Sequence, residues 1–370
     1  MKKFKLFLVA AIAAIAAAGF TSCADDETLK LSNMERYQQE VDGAVAKAKK
    51  HNRAILLVAF GSTWQQAYDA FDLTRSEYAS EFTDYDVFLS FSSAICINRA
   101  RAAENTAARD FYEPKYWLEA LGRQQYEEII VQSMQVIPGE EYGRVVNAVK
   151  DFANNSNGDL DDDYLSRVRI RIGLPLMAGA EDDVEALASA LDANFRSYAE
   201  SGAMLFMGHG NPDEFDTYKA NIRYTQLEAA LQQKHPNYFV GTVDMADNFK
   251  VQVHDRMVAA GITSGNVYCA PLMSIAGDHA HKDMAGDDDA WDSDTQSFEE
   301  NEDGEVEDTS WKQYFFHLGY DTTATGTYKD SGEGALVKGL LEYANVRALY
   351  KGHTRSAEVV DYYHSMYPEE

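Results

Sequence analysis

The sequence predicts an α/β protein of two similar halves, each a parallel sheet with helices on its faces, and three observations carry that prediction. Short apolar runs alternate with longer stretches of helical periodicity. Three runs of the first half recur, in the same order, in the second half. Each run stops at a comparable polar loop, which puts a ligand crevice at the carboxyl ends of the strands, between the two units.

The elements follow in chain order. "AILLVAF" (Ala54 to Phe60) reads as a strand buried on both faces. "DVFLSFSS" (Asp86 to Ser93) and "IIVQSMQVI" (Ile129 to Ile137) are two more. Helical patterns lie between them in "WQQAYDAFDLTRSEYASEF" and "KYWLEALGRQQY". In the second half "AMLFMGHGN" (Ala203 to Asn211) repeats the first strand about 149 positions on. "YFVGTVD" (Tyr238 to Asp244) repeats the second, and "NVYCAPLMSIAGDH" (Asn266 to His279) the third. The halves meet near residues 175–200. We assign 49–195 to the N-terminal half and 196–370 to the C-terminal half, with 23–48 as a linker and the start of the first helix.

Residues 1–22 read as a signal peptide. Lys2, Lys3 and Lys5 precede an apolar stretch of 15 residues, Leu6 to Phe20, which is short for a membrane span. Ser22-Cys23 resembles a bacterial lipoprotein cleavage site, with Cys23 as the lipid-carrying first residue of the mature chain. The acidic run Asp25, Asp26, Glu27 resembles a surface-export tag. The expected location is therefore outside the inner membrane, periplasmic or at the outer-membrane surface, held by a lipid anchor. Removing the leader and Cys23 takes away three lysines and no acid, so a net charge of −27 becomes −30. Such a surface excludes nucleic acid as a partner and suits solubility outside the cell. Cys96 and Cys269 lie in strand-like apolar runs and are expected as buried thiols rather than a disulfide. A homo-oligomer is left open.

The polar residues gain meaning when laid on the repeat. The second-half strands end in Gly208-His209-Gly210, Val243-Asp244 and Gly277-Asp278-His279. His209, Asp244 and His279 thus occupy three equivalent strand ends at one rim of one sheet. Two imidazoles and a carboxylate suit a divalent first-row metal with open positions. The first-half strand ends offer Phe60, Trp64 and the "VIPGEEY" loop through Tyr142 as an apolar wall.

"LLVAFGST", "IIVQSMQVIPGEEY", "IGLPLM", "MGHG", "GTVD" and above all "PLMSIAGDHAHKDMAGD", followed by "SWK", resemble the class II anaerobic sirohydrochlorin cobaltochelatase family over about residues 50–355. The resemblance implies a chelatase-like fold with a tetrapyrrole cleft and Co²⁺ insertion without ATP, Fe²⁺ or Ni²⁺ being alternative ions. It implies His209, Asp244 and His279 as metal ligands, with His209 and His279 also catalytic as proton acceptors. Phe60, Trp64 and Tyr142 would then bind the macrocycle. Asp278, Asp283 and Asp287 could orient His279.

The chain departs from the family pattern at several points. The family's Glu is Asp244. His281 replaces an apolar residue, as an extra ligand or an exposed side chain. A Gly-Leu-Gly-Glu stretch reads Gly339-Leu340-Leu341-Glu342. An acidic insert at about 287–308 is expected as a solvated loop, a calcium loop through Asp292, Asp294 and Asp303 being the sharper alternative. An exported chain does not readily meet sirohydrochlorin. The alternative function is therefore capture of haem or another tetrapyrrole for iron acquisition.

Overall fold

The computed structural model describes residues 32–178, 181–216, 218–287, 290–299, 309–323 and 336–359. The leader, Cys23 and Asp303 lie outside them. Among the described residues no helix is long and apolar enough to cross a membrane.

Two sheets run through the chain. The first has the order β11-β4-β3-β1-β2 and the second β10-β7-β5-β6. Strands β1 (Arg53–Ala59), β2 (Asp86–Phe91), β3 (Glu128–Ser133) and β4 (Arg169–Gly173) are mutually parallel. So are β5 (Gly202–Gly208), β6 (Tyr238–Thr242), β7 (Gly265–Leu272) and the two-residue β10 (Tyr320–Asp321). The order β2-β1-β3 matches β6-β5-β7, so the repeated sequence runs build the same three-stranded arrangement twice. In the second sheet Gly208 pairs with Thr242 on one side and Leu272 on the other. The three strands therefore end level, and the loops that follow share one rim.

The helices are α1 (Asn33–Ala48), α2 (Gln65–Glu81), α3 (Ala94–Arg101), α4 (Pro114–Arg123), α5 (Glu140–Ala153) and the short α6 (Asp162–Leu165). They continue with α7 (Glu181–Ser201), α8 (Ile222–Lys234), α9 (Lys250–Ala259), α10 (Trp311–His317) and α11 (Ala344–Arg355). Ser32 and Glu35 exchange backbone–side-chain hydrogen bonds of 2.7 and 3.2 Å at the start of α1, a capping box that satisfies two orphan donors. From Tyr37 onward the chain forms one compact unit.

Side-chain alternation along β1 divides the first core. Ile55, Leu57 and Ala59 join a cluster that also holds Leu187 and Leu191 of α7 and Met204 and Phe206 of β5. Ala54, Leu56 and Val58 join the opposite cluster with Leu121 of α4 and Val145 of α5. Both faces are dry because a parallel strand is covered twice, and each large buried aliphatic contributes about 1.5–3 kcal/mol.

Three expectations are corrected. The run around Cys96 is helix α3 rather than a strand end, because the Ser93 hydroxyl accepts from Cys96 N at 3.3 Å and starts a helix there. Both cysteines are thiols, Cys269 buried in β7 and Cys96 half-buried. The end of the chain does not stay with the second half. Strand β11 (Glu358–Val359) adds antiparallel to β4, and α11 packs on the first sheet. Tyr350 OH donates to Met134 O at 2.9 Å, and Thr354 Oγ1 donates to Gln132 Oε1 at 2.8 Å.

The insert also differs from a bare solvated loop. Its described part is a hairpin, β8 (Trp291–Asp292) against β9 (Ser297–Phe298). Trp291 stacks on His317 at 4.4 Å between centroids, and Phe298 stacks on Tyr314 at 5.1 Å. Two aromatics in an acidic segment give it something to bury. Asp292 spends its carboxylate on Asp294 N and on Thr295, which makes a turn there; the calcium alternative runs through Asp303, outside the described residues.

Candidate metal centre

The Gly-His-Gly turn follows β5, and its glycines are required by space. A Cβ on Gly208 would stand 2.4 Å from the Tyr224 ring, and Gly210 has φ +78°. The His209 carbonyl between them accepts from Asp244 N at 2.9 Å. That bond ties the loop after β5 to the loop after β6 and brings Asp244 Oδ2 to 3.3 Å from His209 Nδ1. His209 Nδ1–H also donates to Gly210 O at 2.8 Å. The proton is thus fixed on Nδ1, which leaves Nε2 with its lone pair for an ion.

His279 arrives from β7 and opens a π-helical turn, Ala280–Met284, a rare backbone form frequent at functional sites. Its ring meets that of His209 edge-on, with centroids 4.9 Å apart. Its Nδ1–H donates to Asp283 Oδ2 at 2.5 Å, so again Nε2 is the nitrogen left to bind. Burial pushes the His279 pKa down. The Asp283 hydrogen bond and the charges of Asp283, Asp244 and Asp278 outweigh it, so the ring titrates above the ordinary histidine range.

The structure therefore brings His209, Asp244 and His279 together. Among the described residues no three His, Cys, Asp or Glu side chains surround one point as a ready ion site. Asp244 Oδ2 lies beside Nδ1 of His209, and its short side chain stops there.

The three proposed orienters separate. Asp283 does bond His279. Asp278 accepts from Trp64 Nε1 at 2.7 Å, and Asp287 pairs with Lys312 at 2.6 Å. His281 is neither exposed nor near enough to a carboxylate to bond one. Its ring lies flat on Trp64, with centroids 3.8 Å apart and planes 14° from parallel. Burial pushes its pKa down to about 4, against the raising charge of Asp278.

The apolar wall is also redistributed. Phe60 is 44% exposed at the end of β1. Trp64 is half-buried, one face covered by His281. Tyr142 is only 8% exposed and belongs to the first-half core, because the α5 helix turns its ring inward. Tyr218 packs on it at 5.5 Å and is itself 43% exposed. With Phe215, Tyr218 supplies open aromatic surface that sequence reasoning missed. Exposed aromatics just past a strand-end Gly-His-Gly were the available signal.

Glu141, in the first turn of α5, is a residue to which sequence reasoning assigns no role. The Ser92 hydroxyl donates to its Oε2 at 3.1 Å. Burial raises its pKa, while Arg144, Ser92 and His209 pull the other way. That influence places His209 within electrostatic reach of a first-half carboxyl. Glu140 N donating to Asn211 Oδ1 at 3.3 Å joins the same two loops.

The loops at the carboxyl ends of the two parallel sheets meet, with imidazole and carboxylate side chains on the second-half loops and exposed aromatics from both halves, and that arrangement defines the class. It is an α/β protein equipped with donors of the kind that bind a divalent ion. Residues 53–303 match the model of the cobalt chelatase (CbiK) family, and the chain belongs to that family. It is similar to the sirohydrochlorin cobaltochelatase of Salmonella typhimurium, with 28% identity over 244 residues, 65% of this chain and 83% of that protein. It is similar also to the sirohydrochlorin cobaltochelatase CbiKC of Nitratidesulfovibrio vulgaris, with 30% identity over 238 residues, 64% of this chain and 76% of that protein. Among solved structures it matches the sirohydrochlorin chelatase SirB of Bacillus subtilis subspecies spizizenii in complex with cobalt. That match has a TM-score of 0.40 and 15% identity over 61% of this chain and 76% of that one, too low a score to build on.

Proposed function

We propose that the chain inserts Co²⁺ into sirohydrochlorin. The observation that carries this is the meeting of His209, Asp244 and His279 at three level strand ends, in a chain of the cobalt chelatase family. Both curated relatives are named as chelatases, which favours insertion over the alternative of haem capture.

Insertion moves a divalent ion from protein to ring while two pyrrole N–H protons leave. Neutral imidazoles bind Co²⁺ without adding charge, and a carboxylate offsets the ion's charge. His209 and His279 present Nε2 to the ion, each held by its Nδ1–H bond. Asp244, whose Oδ2 lies beside His209 Nδ1, would complete the set by swinging toward the Nε2 side. The exposed aromatics Phe60, Phe215 and Tyr218 offer flat apolar surface for the macrocycle. Glu141, its pKa raised by burial, accepts a proton more readily than an ordinary carboxylate, so it is suited to take a ring proton as the ion passes over. Nothing in this sequence of steps requires ATP.

We assign the site of action to the cell envelope. Support comes from the basic n-region, the apolar run and Ser22-Cys23, with lipid on Cys23 as the anchor. Mass spectrometry of native material showing an unmodified N-terminus past residue 23 would reject the anchor. The function is tested by mixing purified protein, sirohydrochlorin and Co²⁺ without nucleotide and following the ring's absorption. Metallation above the uncatalysed rate is expected. A protein that holds haem with a Soret band and leaves sirohydrochlorin unchanged would overturn the reading.

A further inference from the structure

Two loops of the first half converge on the residues that flank His279. Trp64, at the N-terminus of α2, donates its indole N–H to Asp278 Oδ1 at 2.7 Å and lays its ring on that of His281. Arg99, on α3, reaches the other oxygen of Asp278 at 3.5 Å. Lys282 approaches the same oxygen at 3.7 Å. The residues on either side of the His279–Ala280 pair are thus both gripped by one indole from the opposite half.

The back of the loop is fixed independently. Ser274 Oγ donates to Met134 O at 2.6 Å, and Leu340 N and Leu341 N donate to Met273 O and Ser274 O at 2.9 Å each. Gly339 N donates to Glu342 Oε1 at 2.9 Å, and Gln66, two residues beyond Trp64, donates to the same carboxylate. Ala280 is fully buried. Among the described residues the front of the loop is attached to the first half through Trp64 and Arg99.

We propose that Trp64, Asp278 and His281 form a clasp across the cleft that positions the His279 loop opposite His209 and so sets the donor spacing met by an entering ion. The indole does this with two contacts of different kind. The N–H bond fixes Asp278 along one direction in the indole plane, and the stack fixes His281 perpendicular to it. Together they leave the intervening His279 little freedom, and an ion held by imidazoles tolerates only about 0.2 Å of error in ligand distance. Trp64, Asp278 and His281 are positioning residues and do not touch the ion. His281 fits this role as a flat ring matched to the indole face.

The proposal rests on the chelatase reading for its kinetic readout alone, and the test separates the two. In the full chain, hydrogen exchange of the segment 274–286 is measured first, without metal or ring. Co²⁺ binding is then titrated through the absorption of the bound ion, and insertion into sirohydrochlorin is resolved into kcat and KM. Trp64→Leu and His281→Ala are expected to speed exchange in 274–286 and to weaken Co²⁺ binding about 10-fold, as loss of an orienting group does. They should lower kcat more than they raise KM. His281→Phe, which keeps a ring against the indole, should restore exchange, affinity and kcat. Unchanged exchange in both variants overturns the clasp. So does faster exchange with unchanged Co²⁺ affinity, since the contact would then be structural only. Failure of His281→Phe to restore affinity overturns it as well. If Trp64→Leu does not fold, the His281 pair decides alone. A wild-type protein that binds Co²⁺ but does not metallate sirohydrochlorin would sink the chelatase reading, while exchange and Co²⁺ affinity still decide the clasp.

Discussion

His209 and His279 each spend Nδ1 on a local acceptor, which leaves Nε2 for the ion of the proposed set. On that proposal, truncating either leaves too few donors to hold Co²⁺. His209→Ala and His279→Ala are each expected to abolish insertion with an unchanged circular dichroism spectrum; activity above half of wild type in either would move the site elsewhere. Asp244 is the residue of the proposed ion set where this chain departs from the pattern it resembles. An Asp reaches about 1.5 Å less far than a Glu, one C–C bond, and its oxygen is found beside His209 Nδ1. Asp244→Glu is therefore expected to tighten Co²⁺ binding about 10-fold, a step of roughly 1.4 kcal/mol, and Asp244→Ala to weaken it. Calorimetric titration checks both, and a Glu as damaging as Ala would mean the site is built around Asp. Glu141 gives a prediction in pH. Its folded pKa is raised by burial. The raised group favours the fold at low pH and loses that advantage as pH rises through its folded pKa. Glu141→Gln should thus raise the melting temperature at pH 7 and not at pH 4, read by scanning calorimetry at the two pH values.

At the scale of elements, the acidic hairpin and α11 were the two surprises. Composition marked 287–308 as solvated, because charge dominates any average over it. Two aromatics decide otherwise, Trp291 against His317 and Phe298 against Tyr314. Trp291→Ala is expected to cost about 1–2 kcal/mol, more than a surface change and less than a deep core truncation. Chemical denaturation measures it, and a loss under about 0.5 kcal/mol, the range of ordinary surface substitutions, would return the hairpin to the status of a loose loop. On α11, Tyr350 OH donates to Met134 O and Gln135 O at 2.9 and 3.2 Å in a fully buried setting. Tyr350→Phe removes this donor while Ser274 Oγ still serves Met134 O and Leu176 N still serves Gln135 O, so it should cost about 1 kcal/mol, with Co²⁺ binding unchanged.

At the scale of the whole molecule, the two sheets are joined among the described residues at several places besides the contacts of Trp64, Arg99 and Ser274. One apolar cluster runs through both, from Leu57 of β1 to Phe206 of β5 and Leu272 of β7. The loop after β3 meets the Gly-His-Gly loop through Glu140 and Asn211. The chain's end crosses back, with Arg171 of β4 donating to Ala357 O at 2.9 Å. A truncation after residue 343 removes α11 and β11 together. It is expected to expose the buried edge of β4 and to prevent the first half from folding cooperatively, although every residue of the proposed metal set is retained. A truncated protein that still melts in one sharp transition would show that the second sheet and its site do not depend on this return.

The sequence by itself determined the parallel α/β class, the strand order shared by the halves, and which strand ends carry imidazole and carboxylate. These follow from short continuous apolar runs alternating with helical stretches and from a duplicated pattern, both of which are written locally along the chain. It also marked Cys269 as a buried strand residue. What it could not hold was anything that depends on which distant loops face one another. Trp64 and His281 are separated by 217 positions and meet ring to ring. Tyr142 turns into the core while Tyr218 takes the surface. Only Asp283 of the three nearby aspartates bonds His279, because the π-helical turn presents residues four apart on one side and sends Asp278 toward the other half. Such pairings arise when the two sheets are brought together, and the packing of one half on the other chooses among side chains that local pattern treats alike.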